Sequence, residues 1–415
     1  MNLLGIEGDI YGCLEKEIVR TALIGCGSHA YRNILSALRF VPRARLIATC
    51  DTNNEKSRLY AEAFGAETYY SSIDEMLKSQ TIDAVLLIVG FDPLTGDPLY
   101  PDLACKILEH GIPVWMEKPP AASSHQVQRM INSAEIGGTF FQVGFKMMFA
   151  PAIIKTYELL QRSEIGSPHS FDISYAVPFP REPSDLNDPS ARRFIDDIVH
   201  VLSQIQYLFG TPTEMAYFRG KGTDASAILL YPDGLHGVIR ILGAASIIGP
   251  AEQLRISGGG ADDGWIIQVN HGKELILHER GNPGSYGRDV SFIRPDDTHT
   301  HVWSPDLRSP LGALSLHSEA LFGYVGELSE FADSVAERRP PSRAGHIDAL
   351  SVMMMYDMFS MPERSVHQVK VSMSGQNAVP RKSREATVCP YCYGKMHLKD
   401  GWCLSCAKCG ATKQL

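Results

Sequence analysis

The sequence predicts an α/β protein: a parallel, doubly wound sheet over residues 1–145, then an α+β domain with a large, mostly antiparallel sheet over 146–370. Three observations predict it. Apolar, β-branched runs alternate with helical runs through the first third, the pattern of parallel strands joined by crossover helices. Beyond residue 145 strand-like runs follow one another with Gly, Pro and Asp turns between them, the antiparallel pattern. The chain has 415 residues, 44% hydrophobic and 21% charged, which is ordinary globular composition and enough to bury a large core.

The elements follow in order. "EIVRTALIG" is a strand, "YRNILSALRFV" has apolar residues at helical spacing, and "ARLIATCD" is a second strand ending in an acid. "EKSRLYAEAFGA" is a helix stopped by Gly65, and "SSIDEMLKS" is a short helix capped by Ser71 or Ser72. "IDAVLLIV" is apolar throughout, as a strand buried on both faces should be. "YPDLACKILEHG" is a helix and "IPVWM" a strand. In the second domain "SFDISYAV", "EMAYFRG", "ASAILLYP", "GLHGVIRIL", "EQLRISG", "GWIIQVN" and "KELILHE" are strands. The helical runs "PAIIKTYELLQRS", "ARRFIDDIVHVLSQIQYLFG" and "YVGELSEFADSVAE" should cover one face. Residues 1–18 are an N-terminal extension, 371–387 an aperiodic linker, and 388–415 a third unit.

Net charge narrows the function classes. The total is −8, while residues 381–415 hold seven Lys or Arg against two acids. An acidic body argues against wrapping nucleic acid as the main task, and the basic tail is a separate piece. No apolar run approaches the roughly 18 residues of a membrane span. The opening stretch has neither a basic start nor a clean apolar run, so no signal peptide is expected, and the reading is a cytoplasmic protein.

Gly25-Cys26-Gly27-Ser28-His29-Ala30 follows the first strand and opens the first helix. This is the G-x-G-x-x-G/A arrangement of a Rossmann dinucleotide-binding domain. Gly25 permits the tight turn, Gly27 lets a pyrophosphate approach the backbone, and Ala30 lets helix and strand pack closely. The helix N-terminus then meets the phosphates with its positive end. Asp51 ends the second strand and should accept the ribose hydroxyls while repelling a 2′-phosphate, which favours NAD over NADP.

In "GIPVWMEKPPAAS" a buried-looking strand ends in Glu117, Lys118, Pro119 and Pro120. Ligands of a doubly wound sheet sit beyond the carboxyl ends of its strands, so Glu117 and Lys118 should face the cofactor crevice. Pro119 removes the helical option of Lys118 and fixes its direction. With "IGCGSHA", "CD" at 50–51, "HGIPVWMEKP", "VGF…FAP" at 143–151, "EIGSP" at 164–168 and "DDIVH" at 196–200, residues 19–370 resemble the glucose–fructose oxidoreductase and inositol dehydrogenase family, Gfo/Idh/MocA.

The resemblance implies that Lys118, Asp196 and His200 serve the reacting carbinol of a sugar, cyclitol or sugar-derived acid, with hydride passing to NAD. His200 would take the hydroxyl proton, Lys118 would bind the same oxygen, and Asp196 would orient His200 or hold a neighbouring hydroxyl. Burial beside a cationic nicotinamide should favour neutral Lys118. A helix wheel places Asp196, His200, Ser203 and Tyr207 on one stripe, opposite an apolar face of Ile198, Leu202, Ile205 and Phe209. Asp188, Pro189 and Gly210 should bound that helix.

The sequence departs from the family pattern around the substrate. Ala191, Arg192 and Arg193 replace the usual glycines, Tyr100 stands where a His is usual, and Lys146, Met147 and Met148 follow "VGF" in place of an Arg. Lys146, Arg192, Arg193 and Tyr100 are therefore candidate substrate-binding residues, the cations suiting a carboxylate or phosphate. The resemblance also implies a homo-oligomer, dimer or tetramer. Two other functions stay open: an enzyme using tightly bound NAD for transient oxidation in elimination or hydrolysis, and an NAD-binding regulator of a partner protein.

Five of the nine cysteines lie in "CPYCYGKMHLKDGWCLSCAKCG". Cys389-x₂-Cys392 and Cys406-x₂-Cys409 form two knuckles at the spacing of a Cys₄ zinc ribbon, with structural Zn²⁺. Cys403 in place of Cys409 is the alternative, and His397 a weaker candidate. The ribbon's positive charge suits docking to a protein or, second, nucleic acid.

Overall fold

The computed structural model describes residues 18–243, 251–259, 264–279, 300–304, 318–369, 396–398, 403–406 and 412–414. The chain divides into two units, Met1–Lys370 and Val371–Leu415.

The first unit begins with strands β1 (Val19–Ile24), β2 (Ala44–Cys50), β3 (Thr68–Tyr70), β4 (Ala84–Leu87), β5 (Val114–Met116) and β6 (Phe141–Val143). They form one parallel sheet in the order β3-β2-β1-β4-β5-β6. The order reverses between β1 and β4, which opens a crevice at their carboxyl ends. All four residues of β4 are buried, as its apolar run requires when helices cover both faces.

The crossover helices are α1 (a π turn at Ala30–Ile34 running into Leu35–Leu38), α2 (Asn54–Phe64), α3 (Ile73–Ser79), α4 (Tyr100–Glu109) and α5 (Ser124–Gly137). Asn53 caps α2, which Gly65 ends at φ 73°. Ser72, rather than Ser71, caps α3 by accepting from the Glu75 amide. The sequence reading missed β3, α5 and β6. β3 and β6 are three residues each, too short to show a period. The α5 segment is polar enough to read as loop, yet it buries Val127, Met130 and Ala134.

The second sheet has β7 (Pro168–Tyr175), β8 (Glu214–Arg219), β9 (Ala225–Leu230), β10 (His236–Ile241), β11 (Gln253–Gly258), β12 (Trp265–Asn270), β13 (Glu274–Glu279), β14 (Thr300–Trp303) and β15 (His367–Gln368). Their order is β14-β13-β12-β11-β7-β10-β9-β8-β15. Among the described residues of this sheet, the β7–β10 pair alone is parallel. The seven strands expected from sequence are all present. α6 (Pro151–Leu160) and α7 (Pro189–Phe209) lie on this sheet. Asp188 caps α7 through the Ser190 amide, Pro189 is its first residue, and Gly210 ends it at φ 83°.

The chain then returns to the parallel sheet. α8 (Ser318–Leu321) leads into α9 (Tyr324–Ala336), which packs on β1 and α1; α10 (His346–Asp357) packs on α5, β6 and α7. The Val143 amide donates to Ala344 at 2.8 Å. Among the described residues, the larger of two apolar cores runs through both sheets, and the second lies between β1, α1 and α9. Trp115, Phe141 and Phe145 are fully buried in the first unit, each a side chain whose burial is worth about 1.5–3 kcal/mol.

In the second unit, β16 (Met396–Leu398), β17 (Cys403–Cys406) and β18 (Thr412–Gln414) form an antiparallel sheet with β17 central. Cys389, Cys392 and Cys409 of the expected zinc set lie outside the described residues. Cys406 closes β17. Among the described residues no group of three metal-ligating side chains stands together. Nor is any described helix long and apolar enough to cross a membrane.

Candidate active site

The site is built at the crevice between β1 and β4. Gly25 sits at φ 95°, and a Cβ there would lie 1.9 Å from the Ile88 carbonyl oxygen, so only glycine fits this crossing of the two strands. Gly27 has open space on that side, as close approach of a ligand to the backbone requires. Asp51 accepts from the Cys26 amide at 2.8 Å and from the Asn53 amide at 2.8 Å. It thus shapes the turn. Burial, then the Asp51 charge, push the Cys26 thiol up to about 12, which leaves it inert. Ser28 is exposed at the helix start, and Ala30 is buried.

Beyond β5, Glu117 is buried and held from two sides. His29 lies 2.7 Å from its Oε1, and the Lys118 amide donates to its Oε2 at 3.0 Å. Burial disfavours the carboxylate, but the His29 bond and the Lys118 charge outweigh it and hold its pKa below the ordinary value. The Lys118–Pro119 peptide is cis. The Lys118 ammonium donates to Asp196 Oδ1 at 2.8 Å and to the Asp196 carbonyl at 3.1 Å.

A neutral Lys118 is expected beside a cationic nicotinamide; within the protein alone the balance runs the other way. Burial does favour the neutral form, but Asp196 and Glu117 more than offset it, and its pKa is raised. The expected link from Asp196 to His200 is corrected: the carboxylate is taken by Lys118, and His200 Nδ1 is buried without a partner. Burial, then the charges of Lys118, Lys146 and His29, hold His200 well below the usual imidazole value, so it is neutral. The site therefore pairs a charged lysine with a neutral histidine.

The expected apolar face of α7 is buried, but part of its polar stripe is buried too. His200 and Ser203 are as buried as Leu202 and Ile205 on the other side, because α7 runs between the sheet and α10. Ser203 donates to the His200 carbonyl, and Tyr207 stacks on Tyr157. A single helix wheel cannot see that a second helix covers the polar face.

The candidate substrate residues divide. Lys146 joins the cluster: its ammonium donates to the Tyr324 hydroxyl at 3.1 Å and lies over the rings of Phe322 and Tyr324. Burial lowers its pKa. Tyr100 is buried, and its hydroxyl donates to the Val89 carbonyl at 2.6 Å, a bond that fixes the start of α4. Arg192 is half-buried with Nε unpartnered. Arg193 is exposed and faces Asp197 at 3.8 Å.

Four residues that sequence reasoning missed belong to the neighbourhood. Tyr324 and Glu327 come from α9, the helix that returns from the far end of the unit. Glu327 is fully buried with both carboxyl oxygens unpartnered, and burial, then the Glu117 charge, push its pKa well above the usual value. Tyr175 on β7 and Asp197 on α7 complete the set. Burial, then the Asp196 charge, raise Asp197. No local motif marks Tyr324 or Glu327, because long-range packing brings them here.

Residues 19–145 match the model of the oxidoreductase family GFO_IDH_MocA, NAD-binding Rossmann fold. D-apiose dehydrogenase of Paraburkholderia graminis is 29% identical over 52% of this chain and 59% of its own length. Myo-inositol 2-dehydrogenase of Thermotoga maritima is 28% identical over 77% of this chain and 89% of its own. The chain spans 59% and 57% of the length of that apiose dehydrogenase and of the Bacillus subtilis scyllo-inositol 2-dehydrogenase. Among solved structures, aldose-aldose oxidoreductase of Caulobacter crescentus superposes with a TM-score of 0.64 at 16% identity, covering 85% of this chain and 100% of that one. An Agrobacterium radiobacter oxidoreductase in complex with NAD⁺, L-tartaric acid and magnesium gives 0.63 at 16%, covering 85% and 98%. These likenesses extend the shared fold through the second sheet. Strand order, glycine turn and family match agree: residues 19–145 have a Rossmann fold and match the NAD-binding model of the Gfo/Idh/MocA oxidoreductase family.

Proposed function

We propose that the protein is an NAD-dependent dehydrogenase or reductase acting on a secondary alcohol or ketone of a sugar, cyclitol or sugar-derived acid. The observation that carries the reading is geometric: Lys118, just past the carboxyl end of β5, bonds Asp196 at 2.8 Å, and His200 lies one turn further along the same helix. Gly25, Gly27, Ser28, His29 and Ala30 would hold the pyrophosphate, and Asp51 the adenosine ribose. NAD supplies the hydride acceptor, and NADH the donor.

The side chains do the rest. In oxidation, neutral His200 takes the hydroxyl proton, while the Lys118 ammonium donates a hydrogen bond to the same oxygen and stabilises its developing negative charge. In reduction Lys118 polarises the carbonyl. Asp196 holds the ammonium in place and keeps it charged. Lys146, Arg192 and Arg193 are proposed to receive a carboxylate or phosphate of the substrate. The sugar and inositol substrates in the names of the relatives support the substrate class.

The tail is proposed as a Cys₄ zinc ribbon through Cys389, Cys392, Cys406 and Cys409, on the strength of their spacing. A strand, not a tight knuckle turn, runs from Cys403 to Cys406, which favours Cys409 over Cys403. Exposed Phe218, Ile228 and Leu230 on the second sheet support a homo-oligomer.

The test is direct. Purified protein with NAD and a panel of polyols, aldoses and sugar acids should reduce nicotinamide with at least one of them, read by absorbance. NAD binding without any turnover across the panel would favour a regulator, and cofactor retained through purification would favour transient oxidation.

A further inference from the structure

His29 occupies the position before Ala30 in the glycine turn, and it is the point where that turn is tied to the lysine-bearing strand end. Its Nε2 lies 2.7 Å from Glu117 Oε1, and its Nδ1 lies 3.0 Å from Asn33 Nδ2. An ionised carboxylate only accepts, so Nε2 carries a proton directed at Glu117. The Glu117 side chain is 5% exposed and that of His29 38%. The edge of the ring meets Tyr324 at 6.1 Å between centroids. The second oxygen of Glu117 accepts from the Lys118 amide, and the Lys118 ammonium reaches Asp196. A continuous chain of bonds thus runs from the phosphate-binding turn to the lysine.

We propose that His29 is a positioning residue: through Glu117 it fixes the backbone of Lys118, and so ties docking at the glycine turn to the aim of the lysine. The groups facing Glu117 are His29 from α1, Lys118 from its own strand end, Lys146 from the turn after β6, Tyr324 and Glu327 from α9, and Tyr100 from α4. Among these, His29 is the side-chain donor bonded to the carboxylate. Without it, burial beside Glu327 drives Glu117 towards the protonated form, and the Lys118 amide loses a charged acceptor.

The turnover arm of the test rests on the dehydrogenase reading; the spectroscopic arm does not. Ring nitrogen spectra of ¹⁵N-histidine protein should show one ring with a proton on Nε2 that vanishes in both His29→Leu and His29→Gln. A vanishing ring with no proton on Nε2 overturns the proposal. In turnover, His29→Leu should lower kcat by about tenfold or more and move the acid limb of the pH profile to higher pH, with a smaller change in KM for the polyol. His29→Gln, which keeps a donor, should recover most of kcat and the wild-type limb. Wild-type kcat and an unmoved limb in His29→Leu sink the proposal, as does equal loss in both variants. If the wild-type protein turns over no substrate, the dehydrogenase reading fails, and the spectra alone decide the role of His29.

Discussion

The Lys118 ammonium lies 2.8 Å from Oδ1 of Asp196, a carboxylate 78 positions away in sequence on a helix of the other layer. The contact spans the seam between the parallel sheet and α7. It sets the charge of the lysine, and it leaves His200, one turn on, without a carboxylate partner.

Loss of either group should stop the chemistry and spare the cofactor. Lys118→Ala and His200→Ala are expected to lower kcat by at least about 10², because acid–base groups act in the transition state. Fluorescence titration should find NAD affinity within about threefold of wild type. Turnover near normal in both variants removes them from the mechanism.

Asp196 should set the alkaline limb. A lysine with a raised pKa is charged below that value and loses its charge as pH rises through it. Asp196→Asn removes the leading cause of the raise and leaves burial, which lowers the pKa. Activity in this variant should therefore fall at a lower pH than in wild type. An unchanged alkaline limb in the pH–kcat profile refutes the assignment.

Two buried groups make opposite contributions to stability with pH. His200 is depressed, so the unfolded chain binds the extra proton: its contribution is complete above the unfolded value, about 6.5, and falls away below it. Glu327 is raised, so its contribution is complete below about 4.3 and is lost as pH rises towards the folded value. Glu327→Gln should thus raise Tm at pH 8 relative to wild type by more than it does at pH 5. Calorimetry showing the reverse order contradicts a neutral Glu327.

Asp51 should decide the cofactor. Asp51→Ser removes the charge that repels a 2′-phosphate, so the preference for NAD over NADP should shrink about tenfold or more in paired titrations. Tighter NADP binding by the wild-type protein would contradict the reading.

Elemental analysis should find about one zinc per chain in protein purified under reducing conditions, lost on Cys389→Ser. A chain ending near Val379 should keep NAD binding. Metal-free wild-type protein rejects the ribbon.

Much of the fold was legible in the sequence because its signals are local. Apolar runs marked β1, β2 and β4; the glycine at residue 25 is imposed by a backbone crossing no side chain survives; and Asp188, Pro189 and Gly210 bound α7 by their own backbone preferences. The motif residues Lys118 and His200 were legible as types, because the chemistry they suit depends on the side chain itself. Their protonation states were not, since these depend on which charges and how much water surround them, and only packing decides that. The pairing of Lys118 with Asp196 rather than His200 with Asp196, the burial of both faces of α7, and the arrival of Tyr324 and Glu327 on a returning helix all rest on contacts between segments far apart in the chain. A sequence read one element at a time carries the period of each element but not the identity of what packs on it.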